Sequence, residues 1–203
     1  MRLITSCTIG VAALGAASAC PAMIIQGTEL PPLTPVTTQL GVGYGATFSS
    51  LNNPEVVFTE LIPGTYGVQG TEPWALPSNG GWYSSPIFVT FVDPADGTTP
   101  ATVSGTISAM WGDGGGDLDG VDMRGYDLSN NLVASGTFTG VSFTQIQITG
   151  ANIHRVEFWA NTNVGAPTSD TGFDWISYPT PSPAPGTVAL LGLGGMVSMR
   201  RRR

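Results

Sequence analysis

Lysine is absent from this chain, and its seven basic residues are all arginines. Five of them, Arg2, Arg200, Arg201, Arg202 and Arg203, stand at the extreme ends. Between those ends only Arg124 and Arg155 remain against all 14 acidic residues, a formal net charge of −12. Nucleic-acid binding is thereby excluded, because phosphate contacts need a basic stripe. Attraction to anionic lipid head groups is excluded for the same reason. Such a surface suits divalent cations, neutral glycans or a salty habitat. Histidine is reduced to His154, too little for zinc. A Ser-His-Asp arrangement would hang on that one residue, in a strand with no motif around it. Cysteine is as scarce: Cys7 and Cys20 both lie near the N-terminus. Helical periodicity of useful length is missing as well.

What is present is alternation. In Ala101 to Trp111 the residues Val103, Ile107, Ala109 and Trp111 share one face, and Thr102, Ser104, Thr106 and Ser108 share the other. Thr144 to Thr149 sets Ile146 and Ile148 against Gln145 and Gln147. Period-2 patterning of this kind marks half-buried strands. Further strands are expected at Gln39 to Tyr44, Val56 to Thr59, Tyr66 to Gln69, Ile87 to Val92, Val121 to Leu128, Leu132 to Phe138, His154 to Asn161 and Phe173 to Tyr178. Asp127 to Asn131 and Asp93 to Gly97 read as turns, where Asn, Gly and Pro meet the backbone demands. Short strands at regular spacing argue for a single all-β domain, an antiparallel β-sandwich over 23–178.

Both ends carry sorting features. Arg2, the apolar run Leu3 to Leu14 and the small residues Ala17-Ser18-Ala19 form a signal peptide over residues 1–19, cut by signal peptidase after Ala19. Cys20 follows directly, so Ala17 to Cys20 reads either as an ordinary cut site or as a degenerate lipoprotein box. With Cys7 lost, no internal disulfide is possible, and the exported domain must stand on its own core. At the other end come a Pro-rich linker, Pro179 to Gly186, and an apolar segment, Thr187 to Met199. The run Arg200, Arg201, Arg202 and Arg203 completes this C-terminal segment, 187–203. The apolar piece falls short of the roughly 20 residues of a comfortable span, and the arginines would hold it on the cytoplasmic side.

This three-part tail resembles the PEP-CTERM sorting tails of bacterial surface proteins. The resemblance implies an exosortase-type membrane protease as processing partner, transient membrane insertion through a C-terminal hydrophobic helix, and a final place at the cell surface or in the extracellular matrix. The motif departs from the usual Pro-Glu-Pro: here it is Pro183-Ala184-Pro185-Gly186, the Pro-Ala-Pro-Gly form. The segment Val121 to Tyr178, with Arg124-Gly125-Tyr126-Asp127, Arg155-Val156-Glu157-Phe158 and the closing Gly172-Phe173-Asp174-Trp175-Ile176-Ser177-Tyr178, resembles jelly-roll domains found upstream of such tails. Its last strand is similar to that of galactose-binding-like carbohydrate-binding modules. There a structural calcium uses an Asp at the place of Asp174 with an early Glu, for which Glu29 is the candidate.

Two constellations could carry chemistry. Asp113, Asp117, Asp119 and Asp122 lie in a Gly-rich stretch that could aim several oxygens at calcium or could be a solvated turn. Clustered carboxylates repel one another unless something neutralises them. Trp74, Trp82 and Tyr83 occupy the irregular segment Thr71 to Pro86, either as exposed rings that stack on sugars or as caps on the core. Trp159 and Trp175 read as core or sheet-face packing, and Arg155 with Glu157 as a same-face ion pair. The reading is a non-catalytic, exported glycan-binding module supported by calcium through Asp113, Asp117, Asp119, Asp122 and Asp174, its partner an extracellular polysaccharide. A small surface hydrolase with paired carboxylates and a coat protein without ligand are the alternatives.

Overall fold

In the computed structural model the described residues are 22–31, 34–51, 56–60, 73–77, 86–112, 118–141, 144–160 and 172–184. The signal segment with its cut site at Ala17 and Ala19 lies outside them, as does the expected strand Tyr66 to Gln69. Of the sorting tail, Pro183 and Ala184 are described. Pro185, Gly186, the apolar segment expected to be helical, and Arg200, Arg201, Arg202 and Arg203 lie outside the described residues. Among the described residues no helix is long and apolar enough to cross a membrane.

Two antiparallel sheets face each other as a β-sandwich. The first has strands in the order β1 (Ala22–Ile25), β12 (Gly172–Pro179), β7 (Ala101–Gly112) and β10 (Thr144–Ile153), with the short β13 (Ser182–Pro183) also on β7. The second runs β3 (Ala46–Ser50), β6 (Ile87–Phe91), β11 (Arg155–Ala160), β8 (Leu118–Tyr126) and β9 (Leu132–Val141). A small sheet of β2 (Pro35–Val36), β4 (Val56–Glu60) and β5 (Pro73–Pro77) lies beside β12 through β5.

The alternation read from the sequence sets the core. Val103, Ile107, Ala109, Trp111, Ile146 and Ile148 point inward from the first sheet and are buried. They meet Phe48, Val89, Phe91, Val121, Met123, Val156 and Phe158 of the second sheet in one cluster. Trp111 and Phe158 stack across the gap at 5.7 Å with their planes 5° apart. Phe91 and Tyr178 meet at 4.9 Å. Each such side chain contributes about 1.5–3 kcal/mol by leaving water. The Tyr178 hydroxyl donates to the Tyr44 carbonyl at 3.0 Å. Burial, with Glu29 and Tyr44 nearby, pushes its pKa well above the ordinary phenol value.

Three local outcomes differ from the sequence pattern. The expected strand Gln39 to Tyr44 is a kinked helical turn at Gly41–Tyr44, with Gly43 at φ 88° and Gly45 at φ 71°. Those positive angles suit glycine and end an extended chain. Gly41 also abuts Gly97 so closely that a Cβ would sit 2.8 Å from the Gly97 carbonyl oxygen. Conversely, part of the irregular segment Thr71 to Pro86 forms β5, which pairs with β4 from Glu60↔Pro73 to Val56↔Pro77. Its prolines stand at the strand ends, where a missing N–H is tolerated. Finally, the chain after Pro179 does not leave the sandwich at once. Ser182 and Pro183 pair with Thr102 and Ala101, and Ala184 is buried.

The two turn signals close as their residues require. The Asp93 carbonyl accepts from the Gly97 amide at 2.7 Å, with Gly97 at φ 69°. In the second, Asn130 takes φ 63°.

Candidate functional site

Along β8, Val121 and Met123 are buried, which sends Asp122, Arg124 and Tyr126 to the opposite, outer face. Along β11, Val156 and Phe158 point inward and send Arg155, Glu157 and Trp159 outward. These strands are neighbours, with Arg155 opposite Tyr126, Glu157 opposite Arg124 and Trp159 opposite Asp122. On the flanks, β6 places Phe88 beside Glu157, and β9 places Thr137 beside Asp122. One sheet face thus gathers both arginines of the region between the chain ends, two carboxylates and three aromatic rings.

The groups are tightly joined. The Arg124 Nη2 donates to Asp122 Oδ2 at 3.0 Å, while Thr137 Oγ1 donates to Asp122 Oδ1 at 2.8 Å. The Arg124 guanidinium lies 5.6 Å from the centre of the Trp159 ring, and Phe88 meets Trp159 at 6.2 Å. Glu157 is only 7% exposed. Its Oε1 accepts from Arg155 Nε at 3.0 Å and its Oε2 from Trp159 Nε1 at 2.8 Å. Arg155 in turn sits 5.0 Å over the Tyr126 ring and donates to Asn130 Oδ1 at 2.7 Å. Cation–π contacts and charge-assisted hydrogen bonds of this kind pre-set side chains that would otherwise sample many rotamers.

Such an array offers half-buried rings for stacking and fixed polar atoms beside them. It is ill suited to acid–base work, since both carboxylates already accept hydrogen bonds from neighbours. A shallow depression elsewhere is lined by Thr102, Asp127, Leu128, Ser129 and Asn152. Its one carboxylate, Asp127, accepts from the Ser129 and Asn131 amides at 2.9 and 2.8 Å and from the Asn131 side chain at 2.9 Å. The Asn131 side chain, then its amide, holds that carboxyl below its ordinary pKa. His154 is structural: its amide donates to the Tyr126 carbonyl at 2.7 Å, and its Nδ1 lies 2.8 Å from the Ala101 carbonyl.

Several of the residues singled out from the sequence lie outside the described residues. Trp74 lies in β5 opposite Thr59, while Trp82 and Tyr83 are outside the described residues. Asp113 and Asp117 are also outside them. Asp119 is in β8 opposite Gly140, and Asp174 in β12. Asp122 sits in mid-strand, engaged by Arg124 and Thr137. Among the described residues no group of three or more His, Cys, Asp or Glu side chains is placed to hold a metal ion. The sequence marks the Arg155–Glu157 pair, 2.8 Å apart, whereas Trp159 reads there only as core or sheet-face packing. The available signal was the alternation itself, which sends Asp122, Arg124 and Tyr126 to one side and Arg155, Glu157 and Trp159 to one side.

No family model matches the chain, and no curated protein matches it. Among solved structures, it is similar to an arabinose-bound α-L-arabinofuranosidase, with 10% identity and a TM-score of 0.40 over 83% of this chain and 27% of that one. It is also similar to the K1 cleaved adhesin domain of Lys-gingipain from Porphyromonas gingivalis W83, with 14% identity and a TM-score of 0.29 over 81% of this chain and 99% of that domain. The chain spans about a quarter of the arabinofuranosidase's length. Overlaps this shallow carry no argument about function.

Proposed function

We propose that this chain is an exported, non-catalytic binding module for extracellular polysaccharide, displayed at the cell surface or released into the matrix. The observation that carries the reading is the outer-face array of Phe88, Trp159, Tyr126, Arg124, Asp122, Arg155 and Glu157. Its charges are paired within the sheet, so a neutral ligand can settle on its rings without breaking an ion pair. In the proposed jelly-roll arrangement, β1-β12-β7-β10 packs on β6-β11-β8-β9, and β3 adds an outer strand. The strand order supports it. The signal-like N-terminus and the PEP-CTERM-like tail, processed by an exosortase-type protease, account for delivery and transient anchoring.

Calcium belongs to this proposal through Asp113, Asp117, Asp119 and Asp174. Pairing of Gly112 with Gly172 brings the end of β7 beside the start of β12 and supports that grouping. Asp122 does not fit the set, because its two oxygens are already engaged.

The test is retention of the full chain on immobilised neutral and acidic polysaccharides, with calcium and with chelator. Retention on neutral polymers, lost in Trp159→Ala, is the expected result. Equal retention of the chain and the variant would remove the array from the binding surface.

A further inference from the structure

Strand β9 is the outer strand of its sheet and, among the described residues, pairs only with β8. From Val133 on, its side chains alternate between exposed and half-buried; Leu132 is exposed too, across a register shift against β8 that leaves Val133 unpaired with that strand. Natural sheet edges of such length are normally blunted by lysine, proline or an inward charge. Here Leu132–Val141 has none, and no Asp, Glu, Lys, Arg or His occurs anywhere over 128–153. Among the described residues, five of the eight large apolar side chains left in water lie on this hairpin, the others being Ile24, Val42 and Leu51. Leu132 is 55% and Val141 58% exposed, and Val133, Leu128 and Leu118 are exposed beside them. The opposite edge strands are short: β1 has 4 residues and β3 has 5, against 10 in β9.

We propose that β9 is a homotypic docking edge, on which two copies of this chain pair their sheets antiparallel. Charge selects the occupant. A body with a net −12 between its ends repels its own kind, and a charge-free edge is where two copies can approach most closely. The pattern is self-complementary. With a two-fold axis through Thr137, Val133 of one copy lies beside Val141 of the other and Ser135 beside Thr139, while Thr137 meets its own mate. Like pairs of β-branched and hydroxyl residues are favourable cross-strand neighbours, and a two-fold interface of this kind is closed. The joined sheet would carry both outer-face arrays on one side, their β8 strands about 14 Å apart at three strand spacings. That last consequence rests on the polysaccharide reading; the dimer does not.

Sedimentation velocity of the full chain in mild detergent, over a concentration series, tests it without any glycan. The expected result is a monomer–dimer equilibrium whose dissociation constant rises at least tenfold in Val133→Glu/Val141→Glu. Ile24→Glu/Leu51→Glu, which adds the same two charges at exposed positions away from β9, should leave it unchanged, with circular dichroism confirming that each variant is folded. A wild-type chain that stays monomeric throughout overturns the proposal. So does a dimer indifferent to the β9 charges or weakened equally by Ile24→Glu/Leu51→Glu, which would place the interface elsewhere.

Discussion

Trp159 donates its indole N–H to Glu157 at 2.8 Å, two residues away on the same face of β11, while Arg155 holds the other oxygen of that carboxylate. An alternating strand normally leaves such i and i+2 side chains independent. Here one carboxylate clamps a cation on one side and a ring on the other.

Removing the clamp should be costly in two ways. Glu157→Ala leaves the Arg155 guanidinium and the indole N–H short of a partner, a loss of about 1–3 kcal/mol. A lower urea midpoint at unchanged m-value would show it. Retention on polysaccharide should fall too, because Trp159 loses its fixed orientation. Glu157→Gln, which keeps an acceptor, should recover part of both.

Acid should loosen the turn at Asp93–Gly97. Hydrogen bonds from the Thr99 side chain, then from the Thr99 and Thr98 amides, hold Asp96 down to a pKa of about 2. A carboxyl depressed on folding contributes stability that is fully present above its ordinary pKa of about 4. That contribution is lost as pH falls through the folded value. Thermal melts should therefore decline between about pH 4 and pH 2, and Asp96→Asn should flatten the decline. Asp127 adds a loss of the same sign as pH falls below its ordinary value, with its carboxyl lowered chiefly by Asn131.

Gly45→Ala should be among the most destabilising small substitutions. Gly45 has φ 71°, and an added Cβ would lie 2.7 Å from the Val92 carbonyl oxygen and 2.9 Å from Pro181 Cγ. Left-handed backbone costs a residue with a Cβ about 1–2 kcal/mol, and the carbonyl contact adds to it. A melting temperature several degrees lower is expected. Faster proteolysis near Pro181 should accompany it, because that proline packs on the same spot.

Calcium should raise the melting temperature of the full chain, and chelator should reverse the rise. Ligand at 100 times its dissociation constant stabilises by about 2.7 kcal/mol. Asp119→Asn should reduce the effect, whereas Asp122→Asn should leave calcium dependence intact and weaken only the Arg124 contact. An unchanged melt across calcium and chelator would dismiss the cation.

Much of the scaffold is legible in the chain. β7 and β10 announce themselves by strict alternation, and the Asp93–Gly97 and Asp127–Asn131 turns by residues that tolerate their angles. β5 is hidden because two prolines and a tryptophan look irregular until β4 lies alongside. The Gly41–Tyr44 turn is hidden for the opposite reason: Val42 and Tyr44 suggest extension, but Gly43 and Gly45 take positive φ, while Gly41 packs against Gly97 and Gly45 against Val92.

Composition and period alone determine an acidic, lysine-free, all-β chain. Each is a property of single residues or of near neighbours, and alternation is imposed by the backbone one strand at a time. Which strands become neighbours is another matter, because pairing is decided by long-range burial and loop closure. Only the tertiary structure set β11 between β6 and β8, and so joined Arg124 to the ring of Trp159 and Arg155 to that of Tyr126 on one exposed face. The same packing left the uncharged β9 at the rim, with its outer side chains in water.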